Sequence, residues 1–163
     1  MFEEEVALLK RLSDNYADEI NMDFRDGASP EDIAAFEQKT GLILPEEVSA
    51  LYQEVGGFDG FMTYMNLWDL EMIAQNYKTG YQDWMEEGDG DQYLVLGSTG
   101  GGEYLLMEIT SGQLLKYGDE GDVLPVPSMR ALLCWNIETL YENVSDEEDA
   151  IIEDYLQKMR MND

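Results

Sequence analysis

The segment Gly97-Ser98-Thr99-Gly100-Gly101-Gly102-Glu103-Tyr104 places two glycines at the interval of a phosphate-binding loop, in which a lysine meets the phosphates and a serine or threonine holds magnesium. Here Glu103 stands in the lysine position and Tyr104 in the hydroxyl position. A carboxylate there repels phosphate, so the stretch reads as a glycine-rich hairpin turn. Glu87, Asp89 and Asp91 align with the first three alternate ligands of a calcium loop, but Gln92 falls where glycine is required and Ser98 where the bidentate glutamate belongs. That motif fails, and loose association of a divalent cation with such an acidic stretch would imply no function.

With no histidine, the chain has neither a Ser–His nor a Cys–His nucleophile pair and lacks the ordinary zinc ligand sets. Its one cysteine, Cys134, lies between Leu133 and Trp135 on a helical stretch and reads as a packed side chain rather than a nucleophile. Carboxylates are abundant, yet acid/base catalysis needs one of them held at a shifted pKa, and abundance does not supply that. No catalytic residue, metal or cofactor is therefore expected, and the chemistry left open is recognition.

The recognition candidates are acidic. Asp83, Glu86, Glu87, Asp89 and Asp91 fall in a stretch without Lys or Arg, interleaved with Tyr81, Trp84 and Met85. Such a loop offers carboxylates to a basic surface and aromatic anchors to a pocket, the combination found at interface hot spots. Glu103, beside the glycine turn, joins these candidates, and residues 142–154 form a second acidic stretch. There Asp146-Glu147-Glu148-Asp149 reads as an inter-helix turn whose charge favours the positive N-terminus of the next helix.

The whole composition agrees in sign: 36 acidic residues against nine basic ones give a net charge of −27. A field of that sign repels nucleic acid and anionic lipid and attracts basic proteins. Direct nucleic-acid binding and membrane association are not expected. No apolar run approaches the roughly 18 residues needed to cross a bilayer. Glu3, Glu4 and Glu5 stand where a secretory signal carries positive charge, which points to a cytoplasmic protein.

Several elements must position these residues. Phe2, Val6, Leu9, Leu12, Tyr16, Ile20 and Phe24 recur at helical spacing and predict one long amphipathic helix over 2–24. Ser29-Pro30-Glu31-Asp32 reads as an N-cap opening a helix through Lys39, and Pro45 starts another that ends at Gly56-Gly57. Three helices are thus expected before any strand. Residues 58–67 are β-prone in part, and 68–73 read as a strand end turning into a helix. After a polar loop at 78–91, strands are expected at 92–96, 103–109 and 113–117 with glycine turns between them, and an edge strand at 123–126, where a proline is tolerated. Helices over 129–144 and 149–161 close the chain. The result is a single α+β domain, an antiparallel sheet of about four to six strands packed by helices.

In that order of elements, Ile33, Phe36-Glu37, Gly41, Leu44-Pro45, Leu51-Tyr52 and Gly56-Gly57 resemble the opening signature of the SUKH superfamily, which includes the Smi/Knr-type cell-wall regulators and many bacterial immunity proteins. The resemblance continues through Leu67, Leu70 and Met72, through Leu96-Gly97 and the following glycines, along 104–109, and into Ser128, Met129, Leu132 and Leu133. It covers about residues 28–133, leaving 1–27 as an added N-terminal helix and 134–163 as a C-terminal helical extension. The resemblance implies a non-catalytic protein-binding domain: an acidic immunity protein that occludes the active site of a basic, nuclease-type toxin, or alternatively a regulatory scaffold of the cell-wall synthesis type. Fold alone does not choose between them.

Overall fold

Helix α1 (Glu3–Asn15) buries Val6, Leu8, Leu9 and Leu12, the stripe expected of an amphipathic helix. It stops well short of residue 24. No basic residue lies in its last turn, while Asp14, Asp18 and Glu19 crowd its C-terminal end, where the helix dipole disfavours negative charge. The chain turns at Tyr16, whose carbonyl accepts from Glu19 and Ile20. Ile20, Met22 and Phe24 then follow the two-residue alternation of a strand, and β1 (Asp23–Arg25) precedes the second helix. The expectations of one helix over 2–24, and of three helices before any strand, are both corrected by this short strand. These features are those of a computed structural model that describes residues 1–60, 65–78, 92–118, 120–144 and 147–162.

Helix α2 (Pro30–Thr40) opens as its sequence predicts. The Ser29 hydroxyl accepts from Asp32 N and the Asp32 carboxylate from Ser29 N, a reciprocal capping box with proline at the first helical position. Gly41 closes it in the left-handed region at φ 75°. Helix α3 (Glu46–Glu54) buries Val48, Leu51 and Tyr52. The Tyr52 hydroxyl donates to the Trp68 carbonyl at 2.7 Å. Burial, reinforced by the Asp69 carboxylate, pushes that phenol well above its ordinary pKa, so it remains a neutral donor.

The sheet is an antiparallel meander whose strands lie in chain order from β1 to β7: β2 (Gly57–Asp59), β3 (Asn66–Leu67), β4 (Tyr93–Ser98), β5 (Tyr104–Glu108), β6 (Leu114–Tyr117) and β7 (Val123–Val126). Helix α4 (Leu70–Lys78) connects toward β4, while α5 (Met129–Val144) and α6 (Ala150–Met161) close the chain. This is the α+β antiparallel architecture expected, with seven strands because three very short ones extend it at the β1 end. Register places Leu94, Met107 and Leu114 on one face, and Val95 and Leu106 on the other. All five are buried, so both faces of the sheet centre are covered.

Two polar clamps fix α5 in the core. Asn136, fully buried, accepts from Met65 N at 3.0 Å and donates to Met65 O at 3.1 Å, satisfying a backbone segment that has no ladder partner there. At its N-terminus, Glu47 of α3 accepts from Met129 N at 2.7 Å, satisfying one of the free amides of the first turn.

Candidate partner-binding surface

Seven of the predicted recognition residues, Tyr81, Asp83, Trp84, Glu86, Glu87, Asp89 and Asp91, lie outside the described residues. Their attachment points are defined. The segment leaves α4 after Lys78 and rejoins the chain at Gln92, whose carbonyl accepts from Ile109 N just before β4, the fourth strand of seven. It is therefore tethered to the middle of the sheet.

The glycine-rich segment is the β4–β5 hairpin turn. Thr99 N donates to the Glu103 carbonyl at 2.9 Å, Glu103 N donates to Thr99 Oγ1, and Gly102 takes φ 88°. Gly97 has a separate role: a Cβ there would overlap the carbonyl oxygen of Asn66 in β3, so glycine is what lets these strands approach. The Glu103 carboxylate meets Lys116 Nζ at 2.6 Å, and that ammonium lies 4.9 Å from the centre of the Trp135 ring on α5. This pairing was not legible in the sequence, because it follows from the cross-strand register that sets Lys116 opposite Leu105, two residues along from Glu103 on the same face.

The basic residues follow a general pattern. Arg11, Arg25, Lys116, Arg130, Lys158 and Arg160, six of the nine in the chain, each pair with a carboxylate of the chain itself. Exposed carboxylates such as Asp14, Glu31, Asp59, Glu71, Glu142 and Asp154 make no ion pair among the described residues. In the second acidic stretch Asp149 caps α6, accepting from Ile151 N, and holds Arg11 Nε at 2.8 Å. Burial opposes its ionised form, but the Arg11 guanidinium and the amides of Ile151 and Ile152 outweigh it and hold the carboxyl below the usual range. Asp149 thus plays the capping role anticipated for this turn, while Asp146 lies outside the described residues.

Two of the concavities formed by described residues are notable. One, of about 390 Å³, opens between α2 and α4 beside the Arg25–Asp69 pair. The other, of about 620 Å³, lies along α5 and includes Phe2, Ala131, Cys134, Trp135 and Met159. Cys134 is half-buried and packs against the core, as expected. Among the described residues no group of three or more ligating side chains could hold a metal ion, and no helix is long and apolar enough to cross a membrane.

The sequence model of the SMI1 / KNR4 family (SUKH-1) matches residues 27–133, most of the chain. The chain belongs to this family. No individually curated protein matches it significantly. Within the SMI1 / KNR4 fold most of the apolar residues that carried the resemblance serve packing: Ile33, Phe36, Leu44, Leu51 and Tyr52 are all buried, whereas Met72 is exposed. Gly56 lies where a Cβ would overlap the Asp26 carbonyl oxygen, and Gly57 takes φ 140° against β3. Helices α1 and α6 lie outside the matched residues, as does α5 beyond Leu133.

Proposed function

We propose that this SMI1 / KNR4-family protein is an acidic immunity protein, which binds a basic, nuclease-type toxin and blocks its active site by placing carboxylates where nucleic-acid phosphates would lie. The observation that carries this reading is the division of charge. Six of nine cations are engaged internally while a net −27 remains to act outward. Such a field accelerates encounter with a basic enzyme, an effect the barnase–barstar pair illustrates. Exposed charges are screened beyond roughly 8 Å at physiological salt, so tight binding also needs desolvated anchors. Tyr81 and Trp84 supply them in this reading, with Asp83, Glu86, Glu87, Asp89 and Asp91 around them and Glu103 at the margin, its charge offset by Lys116. The reading involves binding and no reaction.

The experiment is co-expression of the chain with toxin-like domains encoded beside it, measuring rescue of growth. Rescue should occur with one of them and should fall when the five carboxylates of the 83–91 stretch are changed to their amides. Undiminished rescue by that variant would remove the proposed face, and the absence of any toxic neighbour would remove the immunity role.

A further inference from the structure

The concavity between α2 and α4 has walls of unusually small side chains. Ala28, Ala35, Ala74 and Gly56 line it above the buried Phe36 and Leu70, which form its floor. At about 390 Å³ it matches the size of sites that hold a small group. Its rim is charged and mostly acidic: Asp26, Asp32, Asp69 and Glu71 face two cations, Arg25 and Lys39. Asp32 is tied into the α2 capping box. Asp69 holds Arg25 Nε at 3.1 Å while also accepting from Met72 N, so one guanidinium is already bound at this rim. Asp26 and Glu71 are exposed and make no ion pair among the described residues.

We propose that this slot receives an arginine or lysine side chain from the basic partner, its methylene stem against Phe36, Ala35 and Ala74 and its cation between Asp26 and Glu71. An aliphatic stem ending in a cation is the shape and charge that an apolar floor with a carboxylate rim complements. Lys39, which makes no ion pair among the described residues, opposes it and limits affinity. This inference rests on the partner being basic, as read above, and adds the place where one of its side chains inserts.

The test uses the isotope-labelled full chain and a capped pentapeptide with one arginine among glycines. The control is the same peptide with norleucine in place of arginine. Amide chemical shifts are followed at low ionic strength. The arginine peptide should shift the amides of Ala28, Ala35, Phe36 and Ala74 with a common dissociation constant, and the norleucine peptide should bind more weakly. Asp26→Asn and Glu71→Gln should each weaken arginine binding about two- to fivefold, and Lys39→Gln should strengthen it by a similar factor. All three positions are exposed, and the spectra themselves report whether each variant is folded. Shifts spread over α1 and α6, equal binding of the norleucine peptide, or reversed signs for the variants would overturn the slot. The toxin partner plays no part in this measurement. Failed growth rescue therefore counts against the immunity role, and a diffuse shift pattern counts against the slot.

Discussion

Glu5 of α1, with only 2% of its surface exposed, accepts a hydrogen bond from Arg130 Nε of α5 at 2.8 Å. The same carboxylate oxygen accepts from the Tyr155 hydroxyl of α6 at 3.0 Å, and Arg130 also reaches the Met1 carbonyl. Three helices that meet at or beyond the limits of the family-matched region are joined at one buried anion. The Tyr155 phenol is pushed upward by burial first and by Glu5 second, so it stays protonated and able to donate.

Removing the cation should therefore expose the cost of that burial. Arg130→Ala leaves Glu5 with one neutral donor, and a buried carboxylate that loses its partner is strongly destabilising. Arg130 is itself 46% exposed, so solvent already screens part of the pair. The expected loss is about 2 kcal/mol in urea unfolding. A loss under about 0.5 kcal/mol would show the cluster to be a surface pair in energetic terms.

Asp149 gives a pH-dependent prediction. Its folded pKa lies below its unfolded value, which is about 3.9, so its ionised form stabilises the fold fully above that value. The contribution disappears as pH falls through the lower, folded value. Asp149→Asn keeps an N-cap acceptor for Ile151 N and removes the charge together with the oxygen that accepts from Arg11 Nε. It should cost about 1 kcal/mol at neutral pH, and the gap to the parent should close on acidification. Urea unfolding at both pH values checks this, and a gap independent of pH would contradict it.

Gly97 and Gly101 separate close packing from simple turn composition. Gly97→Ala drives a methyl into the Asn66 carbonyl oxygen and should cost about 2–3 kcal/mol. Gly101→Ala meets only Thr99 Oγ1, at 3.8 Å, and should stay within about 0.5 kcal/mol of the parent. Thermal unfolding of the two variants side by side measures the difference, and equal effects would refute it.

The free edge at β7 is closed by proline. Gly118 N donates to Asp122 O at 2.8 Å, and from that phase the register directs the backbone groups of Leu124 and Val126 toward β6 and those of Val123 and Pro125 outward. Pro125 thus removes an outward N–H from an edge whose Val123 and Leu124 are about half exposed, at 49% and 54%. Pro125→Thr restores the donor and should promote association between copies once salt screens their mutual repulsion. Light scattering at rising salt would reveal it, and a variant whose molecular mass tracks that of the parent throughout would count against this role.

These elements also explain what could be read in advance. The strands from residue 93 onward are short, largely apolar runs punctuated by glycine turns, and α2 carries a complete start signal in Ser29, Pro30 and Asp32, so both were legible. The end of α1 was not, because Tyr16, Ile20 and Phe24 fit a helical period while Ile20, Met22 and Phe24 fit a strand period, and acidic crowding at the helix end decided between them. Strands β2 and β3 are too short to show any period. The Glu103–Lys116–Trp135 chain and the slot between α2 and α4 join residues distant in sequence, and only register and helix packing bring them together.

The buried position of Ile33, Phe36, Leu51 and Tyr52, and the tight seats of Gly56 and Gly57, have a further consequence. Outward side chains of the same helices that make no cap or clamp, unlike Asp32 and Glu47, take no part in that packing and can drift without endangering folding. A scaffold divided in this way can acquire new specificities by surface change alone, which would suit the immunity role proposed above.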